Sequence, residues 1–460
     1  MIRLRLLSLF WIAAPFGCAA TAGTASYGSL RAQYEHSLPA AASRSTSTSN
    51  STIERVSNAP VLARAAFVRA VLRQNPSIES ARQGWRAALA RVRQAGTFED
   101  PMVDLGLAPL SIGSSNARVG YEVGISQKLP WFGKRSFEAS AVAAEAEAAK
   151  NDFEAMRREL ALAAVGLYDE YFVATRSLDI NAEHIDLMRA LRGGATAQFE
   201  AGRGSAQDPL QAESELAHLE RDAAVVASRR DIVVAQMNEL LHRAPDEALP
   251  PPPKELSLSP DPDVRDPKRL ETEATATRPE IAAVRDRARA QQSRADKAER
   301  EHYPDVTVST SYNSMWDMPE HRWMVGLGFN LPIWTGAQSG AADEAAALRA
   351  QFESDASRLE ASARTQVYVS LKQLDESEHV LRLFEQRLLP VARDQIEAAR
   401  AGFTASRNPF MAVIEAERNL RTTELDYQMA RADCDRRHAE LERALGRIPG
   451  VDGRDGADGR

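Results

Sequence analysis

The chain is written twice, and this duplication limits its possible folds more than any other feature. Asn75-Pro76-Ser77-Ile78 corresponds to Arg278-Pro279-Glu280-Ile281, and Asp100-Pro101-Met102-Val103 to Tyr303-Pro304-Asp305-Val306, both at an offset of 203. Leu129-Pro130-Trp131 corresponds to Leu331-Pro332-Ile333 at 202, and Gly133 to Gly336 at 203. Phe199, Ala212-Glu213 and Leu216 correspond to Phe403, Ala416-Glu417 and Leu420 at 204. The halves also end alike, in Leu241-His242-Arg243-Ala244-Pro245 and Leu445-Gly446-Arg447-Ile448-Pro449. A register kept to within two residues over this span means one structural unit used twice.

The repeats are expected at residues 61–248 and 271–449. Between them, 249–270 carries Pro250 to Pro253, Pro260, Pro262 and Pro267. Proline fixes φ and removes the amide donor, so this stretch reads as an extended linker. Residues 450–460 form a polar tail, and 23–60 a Ser/Thr/Ala-rich lead without apolar period, expected extended. Ahead of it, Arg3 and Arg5 precede the short apolar run Leu6 to Ala14, then small residues, which makes 1–22 an export signal. Cleavage before Cys18 would make that cysteine a lipid-attachment site; cleavage after Ala20-Thr21-Ala22 would discard it. Both positions stand open.

Within each half the hydrophobic period changes. Ser77 to Thr97 is helical in composition, and Pro101 stops it. Alternation follows: Val103, Leu105 and Leu107, then Val119, Tyr121, Val123 and Ile125, predicting strands at about 102–108 and 118–127. Val306 and Val308, then Trp323, Val325, Leu327, Phe329 and Leu331, predict strands at about 305–313 and 322–331. The interleaved residues are small or polar, among them Asp104, Gly106, Glu122, Gly124, Thr307, Ser309, Gly326 and Gly328. Each strand pair is therefore apolar on one face only. Beyond each Leu-Pro motif the chain turns helical; 136–197 alone would be roughly 90 Å of helix at 1.5 Å per residue. Val367, Leu371, Leu374, Leu381 and Leu388 form a coiled-coil seam.

Four strands cannot close a barrel, and an open amphipathic sheet in an exported chain leaves its edges and apolar face unsatisfied. Several copies closing one barrel would answer both, with Val, Leu and aromatic side chains toward lipid and the small or polar face toward water. Tyr121, Trp131, Phe132, Trp323 and Trp334 lie at or near strand ends, as an interfacial aromatic belt requires. The plainer alternative is a soluble β-sandwich fragment.

The duplicated helix–hairpin–helix plan, Leu129-Pro130-Trp131-Phe132-Gly133-Lys134, and Phe199-Glu200-Ala201-Gly202 followed by Ala212-Glu213 together resemble the TolC-like outer-membrane efflux family. The resemblance spans about residues 60–449. It implies a mainly α fold with a small β part: a homotrimer with a twelve-stranded outer-membrane barrel in lipid and a periplasmic α-helical coiled-coil tunnel. The implied partners are a periplasmic adaptor (membrane fusion) protein and an inner-membrane RND-type pump. The Leu-Pro-Trp-Phe-Gly-Lys form is most similar to the branch serving cobalt–zinc–cadmium and copper–silver exporters, so heavy-metal cations are the expected cargo. In this plan Pro130, Trp131, Phe132, Gly133, Pro332 and Gly336 join barrel to helices, and Gly202 and Ser406 mark helix bends. The family's closed periplasmic tip would fall near Thr175–Asn181 and His379–Glu385, with Asp179, Glu378, Arg382 and Glu385 as gate candidates. Their bland reading is that of solvated helix-face charges.

Enzyme chemistry finds no support. The eight histidines give no His-Glu-x-x-His, and Lys128 stands where a P-loop before Gly133-Lys134 would need glycine. No cofactor is expected. Two cysteines, Cys18 and Cys434, provide neither a disulfide framework nor a multi-cysteine zinc site. Met315, Met318, His321 and Met324 would suit Cu(I), against the simpler reading of an apolar loop tip. A net charge of −7, from 57 basic and 64 acidic residues, argues against nucleic acid as a partner. Two rival functions stand beside the metal duct: a drug-efflux or type I secretion channel, and a non-channel periplasmic coiled-coil scaffold.

Overall fold

The fold is taken from a computed structural model, which describes residues 21–37, 60–113, 119–256, 266–405 and 407–451, the side chains of 21–26 excepted. In chain order the elements are α1 (Thr21–Ser37), α2 (Arg64–Gln74), α3 (Pro76–Ala95), β1 (Met102–Ala108), β2 (Gly120–Leu129), α4 (Lys134–Glu200) and α5 (Gln207–Leu240). The second half follows with α6 (Pro267–Thr277), α7 (Pro279–Arg300), β3 (Val306–Asn313), β4 (Trp323–Phe329), α8 (Gly336–Leu383), a π-helical turn (Phe384–Leu388), α9 (Leu389–Thr404) and α10 (Phe410–Ala444). The fold is mainly α with one small sheet, and it divides into two compact units.

The first unit holds the sheet, α1 and the helical segments nearest to the strands in sequence. All four strands are antiparallel in the order β1-β2-β3-β4. Val103 faces Ile125, Ile125 faces Thr310, and Thr310 faces Val325, so the alternating apolar residues line up across the sheet on one face. Beside the sheet, α7 is tied to α4 by Lys297–Glu138 at 2.9 Å and Arg287–Asp152 at 2.5 Å. These ties join half-exposed side chains and each contributes little alone.

The lead expected to be extended is helical over Thr21–Ser37. Tyr27, Leu30 and Tyr34 recur at helical spacing and give it one apolar stripe. Leu30 is buried, and Tyr34 meets the buried Trp85 edge-on at 5.1 Å between ring centres. Arg93 lies over the Tyr27 ring. The Ser/Thr-rich composition masked that stripe.

The second unit is a helical assembly whose core includes Phe67, Val68 and Val71 of α2, Tyr168 and Phe172 of α4, and Val233 and Met237 of α5. Each such buried side chain contributes about 1.5–3 kcal/mol. Part of the proline-rich stretch straps onto this core: Pro251 O accepts from Leu62 N at 2.8 Å, Tyr171 Oη donates to Pro250 O, and Leu256 is buried. Pro267, counted in the linker from sequence, opens α6 instead. Asp266 caps that helix by accepting from Lys268 N, and proline suits the first helical position because its missing amide has no partner there.

The duplication recurs as duplicated contacts. Asn75 Nδ2 donates to Leu240 O, and Arg278 Nε to Ala444 O, the carbonyl 204 residues on. Helices α5 and α10 both end through a left-handed residue, His242 at φ 55° and Gly446 at φ 78°. The halves differ in one element. Val367, Leu371, Leu374 and Leu381 of the seam are buried, while Leu388 is exposed and Leu389 buried in its place. The π turn causes this shift. Pro390 cannot donate to the preceding turn and its ring crowds that turn's carbonyl, so Leu389 N bonds Phe384 O, five residues back, and the face rotates.

Candidate functional site

The sheet leaves its apolar face uncovered in the protomer. Leu105, Leu107, Val325 and Leu327 are all at least 66 % exposed. The opposite face carries Asp104, Gly106, Glu122, Gly124, Ser309, Ser311, Gly326 and Gly328, as the pairing requires. A small residue is needed at Gly326, where a Cβ would lie 2.6 Å from Ser309 Oγ. Strands β1 and β4 each have one neighbour, so two backbone edges are open. Such a sheet is complete only when further strands join both edges and an apolar medium covers one face.

Below β2 the Leu-Pro-Trp-Phe-Gly-Lys motif builds a locked corner. Gly133, at φ 94°, turns the chain from Pro130 into α4. The turn drives Lys134 inward, where its ammonium donates to Asp305 Oδ1 at 2.8 Å and Tyr303 O at 2.9 Å, with Glu301 at 3.3 Å. Asp305 also accepts from Trp131 N at 3.0 Å, and Trp131 stacks on Tyr303 at 5.6 Å and 6°. Burial pushes the Asp305 carboxyl up, but the bonds from Lys134 and the Trp131 amide outweigh it and hold it below the usual range. Phe132 points away, 70 % exposed. First-half residues thus fasten onto the residues that lead into β3, so the corner joins the two repeats.

The second-half counterpart is open. Leu331, Ile333 and Trp334 flank Pro332 and are each more than 70 % exposed, and Gly336 begins α8. In the β3–β4 connection, Met315 packs over Gly120, the His321 ring meets Trp316, Met318 is exposed, and Met324 sits in β4 opposite Ser311. The four candidate soft ligands thus take separate neighbours.

In the second unit the chain reverses after Glu200 and again between Thr404 and Phe410. Helix α4 runs unbroken through 175–181 and ends at Glu200, where Gly202 at φ 68° reverses it into α5. Left-handed φ ends a helix at low cost only at glycine. The second reversal lies between Thr404 and Phe410, where the Phe403 and Phe410 rings pack at 5.2 Å. Residues 175–181 and 379–385, where the closed tip is expected, lie within helical segments. Cys18 and Ser406 lie outside the described residues. Asp179 pairs with Arg176 at 2.6 Å on its own helix. Glu378 meets Arg382 at 3.9 Å and His438 at 3.6 Å, and Glu385, within the π turn, accepts from Tyr427 Oη at 3.3 Å.

The strongest polar constellation of this unit escaped the sequence reading. His184 of α4 is buried between two carboxylates of α10, with Nδ1 at 2.6 Å from Glu417 Oε1 and Nε2 at 3.1 Å from Glu424 Oε2. Arg421 donates to Asn181 at 3.3 Å and Asp222 at 3.1 Å, and Arg418 Nε to Glu215 at 2.7 Å. Glu417, Arg421 and Glu424 stand at helical spacing, the one legible hint; their partner on α4 comes only from tertiary packing.

No helix among the described residues is long and apolar enough to cross a membrane. The sheet supplies the membrane element, and its one-sided apolarity, open edges and long helices define an outer-membrane channel subunit with a large periplasmic part. Residues 270–447 match the family model described as outer membrane efflux protein. Several solved structures that the chain resembles are described as outer-membrane channels.

Among curated proteins, the chain is 23 % identical over 325 residues to the cobalt-zinc-cadmium resistance protein CzcC of Cupriavidus metallidurans, covering 68 % of this chain and 74 % of that one. Among solved structures it matches CusC, at TM-score 0.71, 17 % identity and coverage of 84 % and 92 %. It also matches the outer membrane protein VceC of Vibrio cholerae, at TM-score 0.69, 17 % identity and coverage of 84 % and 96 %.

Proposed function

We propose that the protein works as a homotrimer, three copies of the four-stranded sheet closing a twelve-stranded barrel that passes heavy-metal cations out of the cell. The observation that carries this reading is the sheet itself, which has two open edges, an exposed apolar face and a small, polar opposite face carrying Asp104 and Glu122. Edge closure between copies satisfies the backbone, and the polar face then lines water. The Lys134–Asp305–Trp131 corner sets the sheet on its helices. Metal cargo is supported by the likeness to a cobalt-zinc-cadmium resistance protein. An inner-membrane RND-type pump and a periplasmic adaptor would deliver that cargo, and adaptor binding at the helical reversals would bias closed and open arrangements. A gate role for Asp179, Glu378, Arg382 and Glu385 belongs to this proposal, as charges along the helices rather than at the reversals.

The test is a susceptibility panel on matched strains with and without the gene, covering zinc, cobalt, cadmium, copper, silver and several lipophilic drugs. Selective sensitisation to metals is expected. Sensitisation to drugs alone would overturn the cargo and leave the drug-efflux alternative.

A further inference from the structure

Two helical hairpins meet in the second unit: α4 with α5, and α9 with α10. Met188 and Ala195 of α4, Leu216 and Leu219 of α5, and Phe410 and Ile414 of α10 share one apolar cluster. Set into this contact is the His184 constellation, and its ties run from one hairpin to the other. A neutral imidazole has one N–H and can donate to one acceptor only. Here both ring nitrogens face carboxylate oxygens at bonding distance, so the arrangement is satisfied when the ring is an imidazolium. Glu417 is fully buried and its second oxygen has no hydrogen-bond partner, so the bond from His184 carries much of the compensation of its charge, with Arg418 beside it.

We infer that His184, clamped between Glu417 and Glu424, is a pH-set latch that holds the α9–α10 hairpin against the α4–α5 hairpin. The two hairpins are built differently. Helix α4 is continuous to its reversal, whereas α9 follows a π turn at Pro390, the kind of defect at which helices hinge. The charged and polar groups around the ring come from all four helices. Helix α10 contributes Glu417, Arg418, Arg421 and Glu424, and α4 contributes Asn181. Helix α5 adds Glu215 and Asp222, and Arg393 of α9 reaches Glu424 at 3.6 Å. Burial lowers the basicity of His184, and the two carboxylates more than reverse this, raising its pKa to about 9. A raised folded-state value means that the stabilisation is fully present below the ordinary histidine pKa and is lost as pH rises through about 9.

The inference deepens the channel reading and rests on it for its consequence, opening; the latch itself is measured separately. Full-length trimer would carry spin labels at Ser205 and Thr404, exposed residues at the two reversals, for distance measurement from pH 6 to 10, with planar-bilayer conductance followed in parallel. The expected result is a constant distance up to about pH 8 and a shift around pH 9, the ratio of separated to latched forms changing up to tenfold per pH unit. His184→Gln should show the separated distance at neutral pH and lose the pH step; Glu424→Gln, which leaves the buried Glu417 contact in place, should move the step to lower pH. A distance that is the same at every pH in the wild type, or a step that persists in His184→Gln, would overturn the latch. A pH-dependent distance without conductance at any pH would keep the latch and sink the channel reading.

Discussion

Replacing Lys134 by Met isolates what the barrel-to-helix corner contributes. The methionine keeps the apolar stem and removes the ammonium, which is 5 % exposed and bonded to Asp305 Oδ1 at 2.8 Å and Tyr303 O at 2.9 Å. Removing one partner of a buried ion pair costs about 3–5 kcal/mol. Asp305 keeps the Trp131 amide at 3.0 Å and Lys128 at 3.7 Å, which reduces the expected loss to about 2–3 kcal/mol, roughly a 30- to 150-fold change in the unfolding constant. Asp305→Asn, still able to accept from the Trp131 amide, should lose less, about 1–2 kcal/mol. The double variant should be better than the sum by about 1.5 kcal/mol, since each single change already breaks the same bond.

Urea unfolding of the detergent-folded protein followed by tryptophan fluorescence is a suitable assay, because Trp131 stacks on Tyr303 within the corner. The pH dependence has a fixed sign. Asp305 is held below the usual carboxylate range, so its contribution is present above the unfolded value and disappears as pH falls through the lower folded value. Wild type and Asp305→Asn should therefore converge in acid. A Lys134→Met variant within about 0.5 kcal/mol of wild type, or strict additivity in the double variant, would refute the reasoning.

Three further outcomes follow from the second unit. Gly446→Ala should destabilise by about 1–3 kcal/mol, because φ is 78° and the new Cβ would lie 2.9 Å from Thr277 Oγ1 and 3.1 Å from its backbone; thermal or urea unfolding reads it. His242→Gly should stabilise by about 0.5–1 kcal/mol in the same assay, since relief of a left-handed side chain at φ 55° exceeds the added chain entropy. Burial raises the Asp169 carboxyl to about 8, and both its oxygens are buried without a hydrogen-bond partner. Wild-type stability should fall from the unfolded value up to about pH 8 as unfolded chains release that proton, and Asp169→Asn should flatten the slope. An unchanged slope would contradict it.

What the sequence disclosed was whatever repeats locally. The alternation of Val103, Leu105 and Leu107 is a two-residue period, and these side chains lie exposed along β1. Gly133 announces a turn because few other residues take φ 94°. Elsewhere the local signal is hidden or missing. Tyr27, Leu30 and Tyr34 were lost among Ser and Ala, although together they bury one helix face. Leu388 continued a seven-residue step on paper, but Pro390 adds a π turn and hands the buried position to Leu389. Analogy of position puts the closed tip at 175–181, but nothing local marks it there, and those residues lie within the unbroken helix α4. His184 gives no sign of its role in sequence, because its two partners lie 233 and 240 residues away.

The central claim, three copies closing one barrel in the outer membrane, is tested most directly by fractionation followed by electrophoresis without boiling. The account predicts that the protein stays in the outer-membrane pellet through carbonate and urea, migrates as a trimer in detergent, and becomes a monomer only on heating. Extraction by carbonate or urea, with a monomer in unheated samples, would contradict the barrel and favour a periplasmic helical scaffold.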